Sequence, residues 1–114
     1  GQLYFSFVKS VAPELVINLT FEHDGTATAE KAFWRAQTPR QIRLQWNGST
    51  LATAGTLYAT KVLRIDVAGK WEKFNALAEQ DGNDIVSATF RARYNSTAAL
   101  FASLEVCNAL TTLT

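Results

Sequence analysis

The chain has 114 residues, 47% of them hydrophobic and 18% charged, with a formal net charge of +1. That length holds one domain, 1–114, with a single core, and the composition is globular, not that of a disordered chain. So small a net charge excludes a global field that would draw in nucleic acid or an anionic membrane.

Alternation with a period of two predicts antiparallel strands, because successive side chains on a strand point to opposite faces. The first falls at 2–9, with Leu3, Phe5 and Phe7 in phase, and the second at 14–22, after Pro13. In the second, Leu15, Ile17, Leu19 and Phe21 alternate with Val16, Asn18, Thr20 and Glu22. Residues 28–37 (TAEKAFWRAQ) break the alternation with helix-favouring Ala, Glu, Lys and Arg. A short helix is expected there, capped by Thr26 or Thr28, stopped at Thr38-Pro39, and packed through Ala29, Ala32, Phe33 and Ala36. The competing reading is a strand with Phe33 and Arg35 opposite Trp34.

Further strands are expected at 40–46, 50–54, 56–68, 70–77, 84–94 and 99–108. Asn47-Gly48 predicts a tight hairpin, since both residues tolerate the positive φ of a type I′ turn. Gly69 is expected to end a strand, and Asp81-Gly82-Asn83-Asp84 to turn the chain. Ile42, Leu44 and Trp46 share one face; Leu63, Ile65 and Val67 share another. Val16, Tyr58 and Val62 lie on the opposite faces, so both sides of the sheet carry apolar groups and the second should meet the helix or another subunit. The expected fold is mainly β: an antiparallel β-sandwich or rolled sheet of about seven to eight strands with one short helix.

No run approaches the roughly 20 apolar residues that span a bilayer, and the first ten residues make a poor signal peptide. No methionine occurs, even at position 1, so the chain is expected to be a piece of a longer one. One cysteine, Cys107, excludes an internal disulfide and points to a reducing compartment or to stabilisation by partners.

No constellation for catalysis is assembled. His23, the only histidine, sits in a turn with no specified nucleophile near it in sequence. One His and one Cys cannot fill a tetrahedral metal shell. Glu79, Asp81, Asn83 and Asp84 crowd oxygens around Gly82 but lack the closing glutamate of a calcium loop, so an ordinary turn is expected. No cofactor is expected. The Asn18, Asn47 and Asn95 sequons read as chance, because the single cysteine argues against a secretory route. Trp34, Trp46 and Trp71 would make a sugar platform only if exposed; Trp46 is expected in the core and Trp71 half exposed. Arg43, Arg64, Arg91 and Arg93 would form a basic stripe suited to single strands, but Glu22, Asp66 and Glu105 on the strands favour ion pairs instead.

Three stretches resemble the tail tube (major tail) proteins of tailed bacteriophages. They are EKAFWRAQTPRQIRLQWNG, TKVLRIDVAGKWEKFNALAEQDG, and DIVSATFRARYNST followed by ALFASLEVCNAL, and with their spacing they cover about Pro13 to Leu113. The resemblance implies a structural protein of the virion, assembled in the host cytoplasm, with no membrane role. Six copies would close into a ring, and stacked rings would carry double-stranded DNA through their channel and meet other tail proteins. It also implies a polar lumen or interface wall, for which the candidates are Thr60, Arg64 and Asp66, or Ser87, Thr89, Arg91 and Arg93. A channel should not hold its cargo, so Arg91 and Arg93 need acidic neighbours, for which Asp66 or Glu105 is the candidate. The alternative is a non-catalytic immunoglobulin-like or carbohydrate-binding sandwich, though an antibody-type domain would need two cysteines.

Overall fold

A computed structural model describes residues 11–110, and the expected strand at 2–9 lies outside them. Six strands and one helix follow one another: β1 Val16–Glu22, α1 Gly25–Ala36, β2 Arg40–Thr50, β3 Thr60–Phe74, β4 Ala78–Gln80, β5 Asn83–Ala92 and β6 Ala102–Cys107. All six strands belong to one curled antiparallel sheet, ordered β1-β5-β3-β2. The fold is therefore mainly β with a single short helix, a rolled sheet and not two packed ones.

The long β3 organises the sheet. Its first half, Val62 to Val67, lies between β2 on one side and β6 on the other. Its second half, Gly69 to Phe74, pairs with β5 on the edge that β6 uses further back. β5 in turn carries β1 on its far side and the short β4 beyond the end of β3. The result is a body, where α1 covers the sheet, and an arm made of β2, the first half of β3, and β6. The Cα radius of gyration is 19.3 Å, against about 13 Å for a compact domain of roughly 100 residues. The arm extends well beyond the core.

Two local features replace the expected break at Gly69. The strand runs through it, because the Arg91–Ala92 backbone of β5 approaches so closely that no side chain fits. Two residues later a bulge leaves Glu72 between the pairs Trp71↔Phe90 and Lys73↔Thr89. The extra residue shifts the alternation, so Trp71 and Phe74 both turn into the core. Trp71 was expected half exposed and is 5% exposed.

Asn47-Gly48 also differs from expectation. β2 continues to Thr50 because β3 begins early enough to pair with it, and the irregularity between Asn47 and Thr50 takes up the glycine as a bulge. The chain reverses over 51–59 instead, held by Leu51 N–H to Ala59 O at 2.9 Å and Gly55 N–H to Tyr58 O at 2.9 Å. The tight two-residue hairpin is the one at Asp81 and Gly82, with φ of 51° and 80° between β4 and β5. The oxygen-rich turn is thus a type I′ hairpin.

α1 starts three residues earlier than expected. Asp24, not a threonine, is its N-cap: Oδ1 accepts the Ala27 N–H at 2.8 Å, a cap that stabilises by about 1 kcal/mol. Gln37 in the left-handed region ends it, with Thr38 N–H returning to Phe33 O at 3.0 Å. The expected stripe is rotated. Of its members Phe33 is half-buried but Ala29, Ala32 and Ala36 are exposed, whereas Ala27 is buried and Glu30, Lys31 and Trp34 are half-buried. Alanine fits either side, so the indole decided the helix orientation. Trp34 Nε1 donates to Glu72 O at 3.1 Å, covering the β3 edge that β2 leaves unpaired beyond Gly69.

The core is small: Ala27, Val67, Trp71, Phe74, Val86, Ala88, Phe90 and Ala92, bordered by Ile17, Leu19, Phe21, Ile42 and Ile65. The alternation seen in residues 14–22 and 84–94 supplies the sheet half of it, with Ile17, Leu19 and Phe21 opposite Phe90, Ala88 and Val86.

Candidate functional site

The register fixes what each face of the arm carries. On the face continuous with the core, three rows cross β2, β3 and β6: Ile42–Val67–Ala102, Leu44–Ile65–Leu104 and Trp46–Leu63–Val106. All six residues that the sequence placed on two faces therefore share one. In the first row Val67 is buried and Ile42 half-buried while Ala102 is exposed, and farther out exposure reaches 65% at Leu104, 62% at Val106 and 53% at Trp46. Trp46 is in phase with core residues, as expected, yet it lies past the end of the core. Among the described residues the body supplies no layer over the outermost row.

The opposite face is a ladder of charges. Arg43 on β2 binds Asp66 on β3 through two nitrogens, Nε to Oδ1 at 2.7 Å and a second at 3.1 Å to Oδ2. Arg64 on β3 donates to Glu105 Oε2 on β6 at 2.6 Å, and Tyr58 Oη donates to the same oxygen at 2.6 Å. The Arg64 guanidinium also lies 5.5 Å from the centre of the Tyr58 ring. Its Nε stands 3.6 Å from Asp66 Oδ2 and has no hydrogen-bond partner, so Arg64 links the two pairs electrostatically. Nearer the body, Arg91 on β5 binds Glu72 at 2.5 Å and also pairs with Glu14. Arg91 is in register with Lys70, and Glu72, two residues on along β3, is its diagonal neighbour on the same face.

These contacts shift the carboxyls in one direction. The hydrogen bonds from Arg43 lower the Asp66 carboxyl, those from Arg91 lower Glu72, and those from Arg64 and Tyr58 lower Glu105. Acceptance by Glu105 raises the Tyr58 phenol. A carboxyl lowered in the folded chain adds stability above the ordinary carboxylate range, lost as pH falls through the lowered values. Stability should therefore fall on acidification below about pH 4, and Glu105→Gln should flatten that slope in acid titrations followed by urea unfolding. An unchanged slope would mean that the ladder is not formed in solution. Because the pairs are near solvent, high salt should also flatten it.

The two candidate wall sets fall on the same side of the sheet, so the choice between them disappears. Thr60, Arg64 and Asp66 lie on β3 in the phase of the ladder, and Ser87, Thr89 and Arg91 on β5 join them through the pair Lys70↔Arg91. Thr20 and Ser87 hydroxyls hydrogen-bond at 3.0 Å, and Thr89 donates to Asn18 Oδ1 at 3.0 Å. Arg93 stands apart. It follows β5, its N–H bound to Ala68 O at 2.9 Å, and it lines a separate cleft with Lys70, Tyr94, Ser96 and Thr97. The proposed neutralising partners are reassigned: Asp66 and Glu105 serve Arg43 and Arg64, while Glu72 and Glu14 serve Arg91. Glu72 keeps the phase of Asp66 and Lys70, so the alternation already put it on that face; what the sequence did not show is that β5 brings Arg91 opposite Lys70, one step from it.

A third feature lies on the core side. A cleft of about 360 Å³ opens between the start of α1 and the facing strands β1 and β2, with Leu19, Phe21, Ile42 and Trp71 as its apolar lining. Glu30 closes its inner end, accepting Trp71 Nε1–H at 2.8 Å and binding Arg40 at 2.6 Å. Arg40 in turn lies 4.2 Å from the centre of the Phe33 ring. Glu22 and Asp24 complete an acidic rim.

Among the described residues, no group of three or more His, Cys, Asp or Glu side chains is placed to hold a metal ion. No helix there is long and apolar enough to cross a membrane. Comparison with protein-family models, with curated proteins and with solved structures finds no match.

Proposed function

We propose that this chain is a non-catalytic structural subunit that joins copies of itself, of the tail tube kind its sequence resembles. Six copies would close a ring, and stacked rings would form a channel for double-stranded DNA within a phage virion. The observation that carries this reading is the arm: its apolar face runs on from the core border at Ile65 to Leu104, Trp46, Leu63 and Val106, which stay exposed among the described residues. Exposed apolar surface of that extent belongs to an interface. Open sheet margins add to it, since β1, β2 and β6 each have a strand on one side only among the described residues.

The other face supports a channel wall. Its arginines on the strands are paired with carboxylates, so a passing phosphate backbone meets cations already neutralised. The sandwich alternative loses support from the same structure. One curled sheet under a helix replaces two packed sheets, and only Trp46 of the three tryptophans is exposed, which leaves no platform for a sugar.

Sedimentation velocity over a range of concentrations, with negative-stain microscopy of the concentrated protein, tests the reading. Rings or tubes are expected. A monomer at every concentration, or a monomer that binds glycans, would end it.

A further inference from the structure

Trp46 and the cleft beside α1 are complementary parts on one surface, and the chain cannot join them within itself. Both lie on the core side of β2, where Ile42 lines the cleft and Trp46 follows four residues later. At about 3.3 Å per residue, four residues of strand separate them by roughly 13 Å. An indole at position 46 that entered such a cleft would therefore enter another copy's.

We infer that Trp46 of one copy seats in the α1–β1–β2 cleft of a second copy. This rests on the self-assembly reading and names its contact. Three observations support the pairing. The cleft, about 360 Å³, is near the lower end of the roughly 300–1,000 Å³ of ligand pockets, a size for one large side chain with its flank. Its lining mixes an apolar side, Leu19, Phe21, Ile42 and the edge of Trp71, with charged groups, and the half-buried Phe21 ring can take edge-to-face contact with an incoming indole. Charge is also complementary: Lys61 borders the depression beside Trp46, while Glu22 and Asp24 stand on the cleft rim. A large aromatic entering a pocket inside a polar rim is the usual anatomy of a binding hot spot.

Trp46→Ala should leave the monomer folded, since the side chain packs in no core, and should raise the concentration for half-assembly by at least about tenfold. Thr26→Trp, which fills the cleft from its rim, should do the same. Mixing these two variants should restore one contact and give dimers that neither forms alone. Lys61→Glu and Glu22→Lys should each weaken assembly, and the double exchange should recover it. Sedimentation velocity reads all of these. Rings formed by Trp46→Ala as by wild type would overturn this contact and leave the assembly reading standing. A wild type that stops at a dimer, lost in Trp46→Ala, would keep the contact and overturn the ring. An inert double exchange would overturn the charge pairing and with it the placement of Trp46 at that rim.

Discussion

Gly69→Ala is expected to unfold the protein or to cost more than about 3 kcal/mol. A Cβ built at position 69 stands 2.1 Å from Arg91 O and 2.9 Å from Ala92 Cα. Both are backbone atoms of the neighbouring strand, so no rotamer change relieves the contact. Making room means moving β5 away from β3 at the point where body and arm join. That would strain the Gly69↔Ala92 pair and the 2.9 Å bond from Arg93 N–H to Ala68 O. Overpacking costs about 1–3 kcal/mol where side chains can yield, and more where only backbone can. Net stabilities are about 5–15 kcal/mol, so the loss is a large share. Gly25→Ala is the matched control: nothing lies within 4 Å of its Cβ, and it opens α1. Urea unfolding compares them. A Gly69→Ala variant within about 1 kcal/mol of wild type would show that β3 and β5 are not so close.

What the sequence disclosed depended on whether a feature was local. The alternations in residues 14–22 and 84–94 gave the body strands with the correct inward faces, because a period of two survives wherever pairing is regular. The helix was visible in composition. Its orientation was not, since alanine carries little information about sides and Trp34 found its place only through the unpaired edge of β3. Glycines misled for a common reason. Gly48 and Gly69 carry the marks of turns, but one sits in a bulge and the other under a neighbouring backbone. Which role a glycine plays is decided by the partner strand, and the partner is remote in sequence.

The candidate surfaces divide in the same way. That the strand arginines would meet carboxylates across strands followed from the mixed charges on the strands, but Asp66 and Glu105, expected beside Arg91 and Arg93, pair with Arg43 and Arg64. The exposed rows were hidden for the opposite reason. A buried apolar residue and an exposed one in the same phase look identical as letters, so Trp46 read as core when it lies beyond the core's end. Only the length of β3, which pairs β2 and β6 past the reach of α1, separates the two. Leu104 and Val106 held the available clue: together with Ala102 they continue a period of two, and no third layer among the described residues covers it.

Phe90→Ala should cost about 3–5 kcal/mol, the range for removing a fully buried aromatic ring. Phe90 has no exposed surface and stands in register between Ile17 of β1 and Trp71 of β3. Its ring meets Trp71 edge-on, with centres 5.2 Å apart and planes at 81°. Few large side chains share this core, and three of its eight buried members are alanines, so little can move in to refill the space. With a urea slope of about 1–3 kcal/mol per molar, the midpoint should fall by more than about 1 M. Assembly makes the prediction sharper. Binding of copies favours the folded chain by mass action, so the variant's melting temperature should rise with protein concentration. Trp46→Ala should show the reverse pattern, a dilute monomer as stable as wild type and little gain on concentration. If Phe90→Ala lost less than about 1 kcal/mol, or both variants responded alike to concentration, the division into a body that folds and an arm that associates would be wrong.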